Sequence, residues 1–98
     1  MNLMRVEIIA NRSIEEDMHD AFKKAGIVGK YTKQPVVHGV GSSGPRMGDH
    51  IWPEENFVLT TYCGEEELEK ISSVVRELKD FFCSEGIKIF ASSAREVL

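Results

Sequence analysis

Basic runs are missing from this 98-residue chain, which carries 12 lysines and arginines against 16 acids and a formal net charge of −4. Nucleic acid and anionic membranes are both gripped through clustered cations, so neither is an expected partner. Long apolar runs are missing as well. No stretch approaches the roughly 20 residues of a membrane span, and "MNLMRVEIIANRS" lacks a secretory signal's long apolar region and small-residue cleavage site. A cytoplasmic protein with no direct membrane insertion is expected. Cysteine is limited to Cys63 and Cys83, which do not stand at metal-ligand spacing. They fit ordinary reduced thiols better than a disulfide framework or a zinc site.

What is present is 42% hydrophobic and 29% charged, the make-up of a soluble globular protein. A chain of this length forms one domain, 1–98, and buries only about 60–65% of its unfolded surface. Its core is modest, and association with further copies would enlarge it.

The same local plan occurs twice. "MRVEIIA" (4–10) is a short apolar run rich in β-branched residues and predicts a strand. Ser13 with Glu16 three residues on reads as a capping box at a helix start. Ile14, Met18, Ala21, Phe22 and Ala25 then recur at helical spacing, and Gly26 follows as terminator. "GKYTKQPVVHG" predicts a second strand, with Pro35 marking an edge or a bulge. After a long loop, "NFVLTTYC" (56–63) predicts a third strand. "EEELEKISSVVRELKDFF" predicts a helix whose first-turn acids suit the helix dipole, with Leu68, Ile71, Val74, Val75, Leu78, Phe81 and Phe82 as its apolar stripe. "SEGIKIFAS" is expected to end that helix at Gly86 and start the fourth strand.

Two β-α-β units of this size predict an α+β, ferredoxin-like βαββαβ sandwich, a four-stranded antiparallel sheet with two helices on one face. "VEII", "FVL" and "IKIF" place apolar residues on both strand faces. Two helices cover one face only, so another subunit is the expected cover for the second.

The loop 39–55, between strands two and three, is the compositional oddity. "HGVGSSGPRMGDHIWPEENF" holds four glycines, two prolines, two histidines, an arginine and the single tryptophan. A long loop of this kind is functional or mobile more often than merely connective. Backbone amides at Gly39, Gly41 and Gly44, hydroxyls at Ser42 and Ser43 and the Arg46 guanidinium could together cradle an anion. The plainer reading is a set of turns with a solvated arginine. Trp52 is read as a packing anchor, restrained by Pro53.

The order of these elements and three local segments resemble the PII signal-transduction proteins over roughly Met4 to Arg95. "AGIVGKYT" is similar to that family's helix-end segment, "HGVGSSG" to its Gly-x-Gly start of the T-loop, and "GIKIFAS" to its lysine-led fourth strand. The resemblance implies a homotrimer with inward-facing sheets and an adenine nucleotide in clefts between subunits. It places Lys88 at the family's phosphate-contacting lysine. It further implies a nitrogen-regulation type of signalling protein with no chemistry of its own, acting on an enzyme or a transporter through the Gly39–Pro53 loop. The departures are equally concrete. "FFCSEGIK" holds one glycine where the family has several, and Arg95 alone stands for its arginines beyond the fourth strand. Ser43 falls near its 2-oxoglutarate-binding glutamine, and no tyrosine lies between Tyr31 and Tyr62 for modification. The chain reads as a divergent PII-like protein.

Two rival classes stand beside this one. His38, Asp49, His50, Glu54 and Glu55 offer imidazole and carboxylate to a divalent metal. The alternative function is thus a metal protein of the related CutA kind, with His38 and His50 as ligands, although no H-x-x-x-H or C-x-x-C spacing supports it. "VHGV" is faintly similar to the Val-Gln-Gly-Val of acylphosphatases but follows the second strand instead of lying in the first loop. With no nucleophile–base pair in view, catalysis is not expected.

Overall fold

Alternation along the first strand sets the architecture. The computed structural model describes residues 3–27, 29–41, 44–46 and 55–98. In β1 (Leu3–Asn11) the side chains of Val6, Ile8 and Ala10 are buried in turn, while those between them are only half-buried. β1 lies inside a sheet of order β2-β5-β1-β6, flanked by β5 (Asn56–Cys63) and β6 (Ile87–Ala94), with β2 (Thr32–Val37) at one edge. All pairings are antiparallel; Ile8 stands opposite Leu59 on one side and Ile89 on the other. α1 (Glu15–Lys24) and α2 (Glu65–Phe81) complete the βαββαβ sandwich expected from the sequence. No helix among the described residues is long and apolar enough to cross a membrane.

The start of α1 differs from the expected capping box. Asn11 Oδ1 accepts from the Ser13 amide at 2.8 Å, a 3-10 turn covers Arg12–Ile14, and α1 begins only at Glu15. The capping side chain is therefore Asn11, because the chain spends one tight turn leaving the sheet. At the other end Gly26 takes φ +72°, Ile27 N–H donates to Phe22 O at 2.9 Å and Gly26 N–H to Lys23 O at 3.1 Å. This is a Schellman motif, and Phe22 and Ile27, its two apolar positions, both pack against the core.

Pro35 behaves as expected at an edge. β2 pairs only with β5, and its register shifts between Gln34 and Val37. A proline there withholds no hydrogen bond from an inner strand.

α2 buries Ile71, Val75 and Leu78, with Leu68, Val74 and Phe82 packed at the margin. Phe81, placed in the stripe from sequence, is instead 80% exposed and meets Phe82 edge to face at 4.8 Å. The core-facing positions step by four, three and four residues from Ile71 to the half-buried Phe82, so Phe81 falls a third of a turn away. The helix also stops five residues before Gly86. Phe82 breaks it (φ −104°, ψ 57°), and Lys79 Nζ and the Glu85 amide close the turn.

The core lies between the helices and one sheet face: Val6, Ile8, Ala10, Ile14, Met18, Phe57 and Leu59 with Ile71, Val75, Leu78 and Ile87. By strand alternation the other face carries Arg5, Glu7 and Ile9 of β1, Val58, Thr60 and Tyr62 of β5, and Lys88, Phe90 and Ser92 of β6. The two helices pack on the core side, and on this second face Tyr62 and Phe90 are exposed while Val58 is buried.

Candidate ligand-binding site

The loop leaves the sheet at His38. Gly39–Gly41 (β3) and Gly44–Arg46 (β4) then pair antiparallel, with Gly39 opposite Arg46, Val40 opposite Pro45 and Gly41 opposite Gly44. This ribbon was not anticipated. Among the described glycines only Gly26 has a positive φ, so Gly39, Gly41 and Gly44 supply bare extended backbone instead of a left-handed turn. A Cβ on Gly39 would meet nothing within 4 Å. Ser42, Ser43, His50 and Trp52 lie outside the described residues, as does the rest of 47–54.

Both ends of the loop are tied at one carboxylate. Glu55 Oε1 accepts from Arg12 Nη1 at 2.7 Å, and Glu55 Oε2 accepts from His38 Nε2 at 3.0 Å. The Arg12 amide also donates to the Glu55 carbonyl at 2.8 Å. The hydrogen bond from His38, then that from Arg12, holds the Glu55 carboxyl below its ordinary pKa. His38 and Glu55, offered by sequence as metal ligands, thus engage each other and a guanidinium. Among the described residues no three His, Cys, Asp or Glu side chains converge as a metal site would require. Arg12 was missed from sequence, because its partner lies 43 residues away.

Lys88 projects from the exposed open face of β6, opposite Ile9, at the same end of the sheet as the loop base. It is three strands from β2, about 14 Å at ordinary strand spacing. Lys88 and the strand from which the Gly39–Arg46 ribbon departs thus lie at opposite edges of the sheet.

The opposite end of the sheet holds a feature the sequence reading passed over. A cleft of about 600 Å³ is lined by Lys30, Tyr31 and Thr32, by Thr60, Thr61 and Tyr62, and by Leu3, Arg95 and neighbours. Tyr31 and Tyr62 are each 56% exposed. Tyr62 stands opposite Arg5 across the β1–β5 ladder, and Arg5 donates to Glu7 at 2.9 Å. Such a cleft offers flat aromatic surfaces beside hydroxyls and two cations. Its one sequence signal was a tyrosine at the end of each of two adjacent strands. Five to seven residues of β5 separate this cleft from Glu55 at the loop base, about 17–23 Å.

No protein-family model matches the chain, and no curated protein matches it. Solved structures do. CPII, a nitrogen regulatory PII-like protein from Thiomonas intermedia K12 bound to ADP, AMP and bicarbonate, superimposes with a TM-score of 0.74 at 22% identity, over 96% of this chain and 87% of that one. A candidate PII-like signaling protein from Thermus thermophilus gives 0.66 at 24%, over 96% and 88%. A de novo designed protein, Foldit4, gives 0.56 at 15%, over 95% and 99%. At these identities the likeness establishes the fold, a PII-like ferredoxin-like sandwich. The designed neighbour is a reminder that function must come from the site.

Proposed function

We propose that this chain is a divergent PII-like regulatory protein that assembles as a homotrimer and binds a small anionic ligand, an adenine nucleotide, between subunits. One observation carries the reading. The two regions suited to parts of such a ligand lie at opposite ends of one sheet, too far apart to act within a single chain. One is the Gly39–Arg46 ribbon with Lys88 at its end of the sheet. The other is the Tyr31–Tyr62 cleft with Arg95. Packing the uncovered sheet faces of three copies together would set one end beside a neighbour's other end. Phosphate would then meet Lys88, the Arg46 guanidinium, the hydroxyls of Ser42 and Ser43 and the amides of Gly39, Gly41 and Gly44. A planar base would meet tyrosine. That CPII is bound to ADP, AMP and bicarbonate supports the choice of ligand class.

The protein performs no chemistry of its own in this reading and works in the cytoplasm. Ligand binding selects between states of the 39–53 loop, which presents or withholds a surface to a regulated enzyme or transporter. The ligand must bind those states with different affinity for this to operate.

Light scattering and thermal melting test the proposal together. The expected particle has three times the mass of the 11.0 kDa chain. At 100 times its Kd a nucleotide should add about 2.7 kcal/mol of stability. Lys88→Ala should remove most of that gain without changing the mass. A monomer indifferent to ADP, AMP and ATP defeats the reading. Stabilisation by a divalent metal alone, lost in His38→Ala, would favour the CutA-like alternative.

A further inference from the structure

A second cleft, of about 530 Å³, opens between the helices and the sheet and meets the first at Lys30, Tyr31, Thr61 and Tyr62. Ile8, Leu59 and Ile71 form its apolar depth, and Phe22 and Ile27 continue the lining. Those three side chains are no more than 5% exposed and carry no hydrogen-bonding group for a sugar or a phosphate. The size and character are those of a site for a small, largely apolar molecule.

The mouth adds charge. Lys23 and Lys30 both line it, and neither has an ion-pair partner among the described residues. Nearby Lys33, by contrast, is held by Glu15 at 2.6 Å. Glu67 is the one acid of the described lining, so the lysines outnumber it. The His19 and Tyr31 rings meet at 5.8 Å beside them. Thr61 Oγ1 donates to the Lys30 carbonyl at 2.6 Å and so fixes the backbone that carries one of the cations. Burial, then the charge of Glu67, pushes the Cys63 thiol up, so that it lines the cleft as a neutral group.

We propose that this cleft binds a small aromatic carboxylic acid, with its ring against Phe22 and its carboxylate between Lys23 and Lys30. An apolar depth under a cationic mouth selects for a molecule with one flat apolar end and one anionic end. The site belongs to a single chain and does not require the inter-subunit reading.

The test is a titration of the full chain with 3-phenylpropionate, followed by methyl NMR, alongside 3-phenylpropan-1-ol as the uncharged match. The acid should move the methyl signals of Ile8, Ile27, Leu59 and Ile71 and leave Ile9 and Val58, on the other face, in place. Lys23→Ala with Lys30→Ala should weaken acid binding roughly five-fold and leave the alcohol unchanged, the scale of two exposed charge contacts. Cys63→Phe, which narrows the cleft from its wall, should abolish both. If that variant does not fold, the lysine pair decides, since both lysines are exposed. The proposal is overturned if the four methyl signals stay still at millimolar acid, or if acid and alcohol bind alike. It is equally overturned if the lysine substitutions leave acid affinity intact.

Discussion

On the face beneath the helices, Val6, Ile8, Ala10, Phe57, Leu59 and Ile87 are each at most 5% exposed, whereas Tyr62 and Phe90 on the opposite face are each 56% exposed. The same strands build both faces, and a step of one residue separates them. The uncovered face is only partly apolar. Ile9, Val58, Phe90 and Tyr62 are interleaved with the Arg5–Glu7 pair, Thr60, Lys88 and Ser92. The difference teaches that the core draws on one set of residues and leaves a second, partly apolar set outside it. One face closes the core beneath the helices. The other mixes charge with aromatic rings and, in the proposed assembly, would bury those rings against a copy.

Breaking the first face should have the largest effect. Phe57 is fully buried, so Phe57→Ala should cost about 3–5 kcal/mol, read as a fall in the urea midpoint. That is a large part of the stability of a domain this size. On the second face, Phe90→Asp should reduce the particle to a single chain while its circular dichroism stays folded, with chain stability changed by about 1 kcal/mol or less. A parallel collapse of fold and assembly would mean that the faces are not separable.

At the rim between them, Glu55→Gln should sharpen the contrast through pH. A carboxyl whose folded pKa is depressed contributes stability above its unfolded pKa, about 4.3, and loses it as pH falls through the folded value. The unsubstituted chain should therefore lose more stability than the variant when melted below about pH 4. The smallest effect belongs to Phe81. Phe81→Ser should move stability by no more than about 0.5 kcal/mol, because that ring is exposed and lies on neither sheet face.

Local regularities were readable from the residues. The third long strand spans Asn56–Cys63, as read from "NFVLTTYC", and Pro35 lies on an edge strand with a register shift, as its reading as an edge or bulge residue expects. Readings failed where two patterns competed. Asn11 and Ser13 are both good caps, and only the tight turn leaving the sheet selects Asn11. Phe81 and Phe82 both continue a helical stripe, and only packing chooses Phe82. Gly26 and Gly86 follow helices in similar segments, but only Gly26 takes the left-handed conformation. The candidate site was legible at its glycine-rich end alone. The Arg12–Glu55 pair and the Tyr31–Tyr62 cleft join residues far apart in the chain, which no local spacing records.

Because Glu55 grips Arg12 and His38 together, the segment between His38 and Glu55 leaves and rejoins the sheet at one closed point. Residues could be inserted or exchanged beyond that point at a closure entropy that grows only with the logarithm of length. The segment is thereby open to exchange while the sandwich beneath it keeps its register.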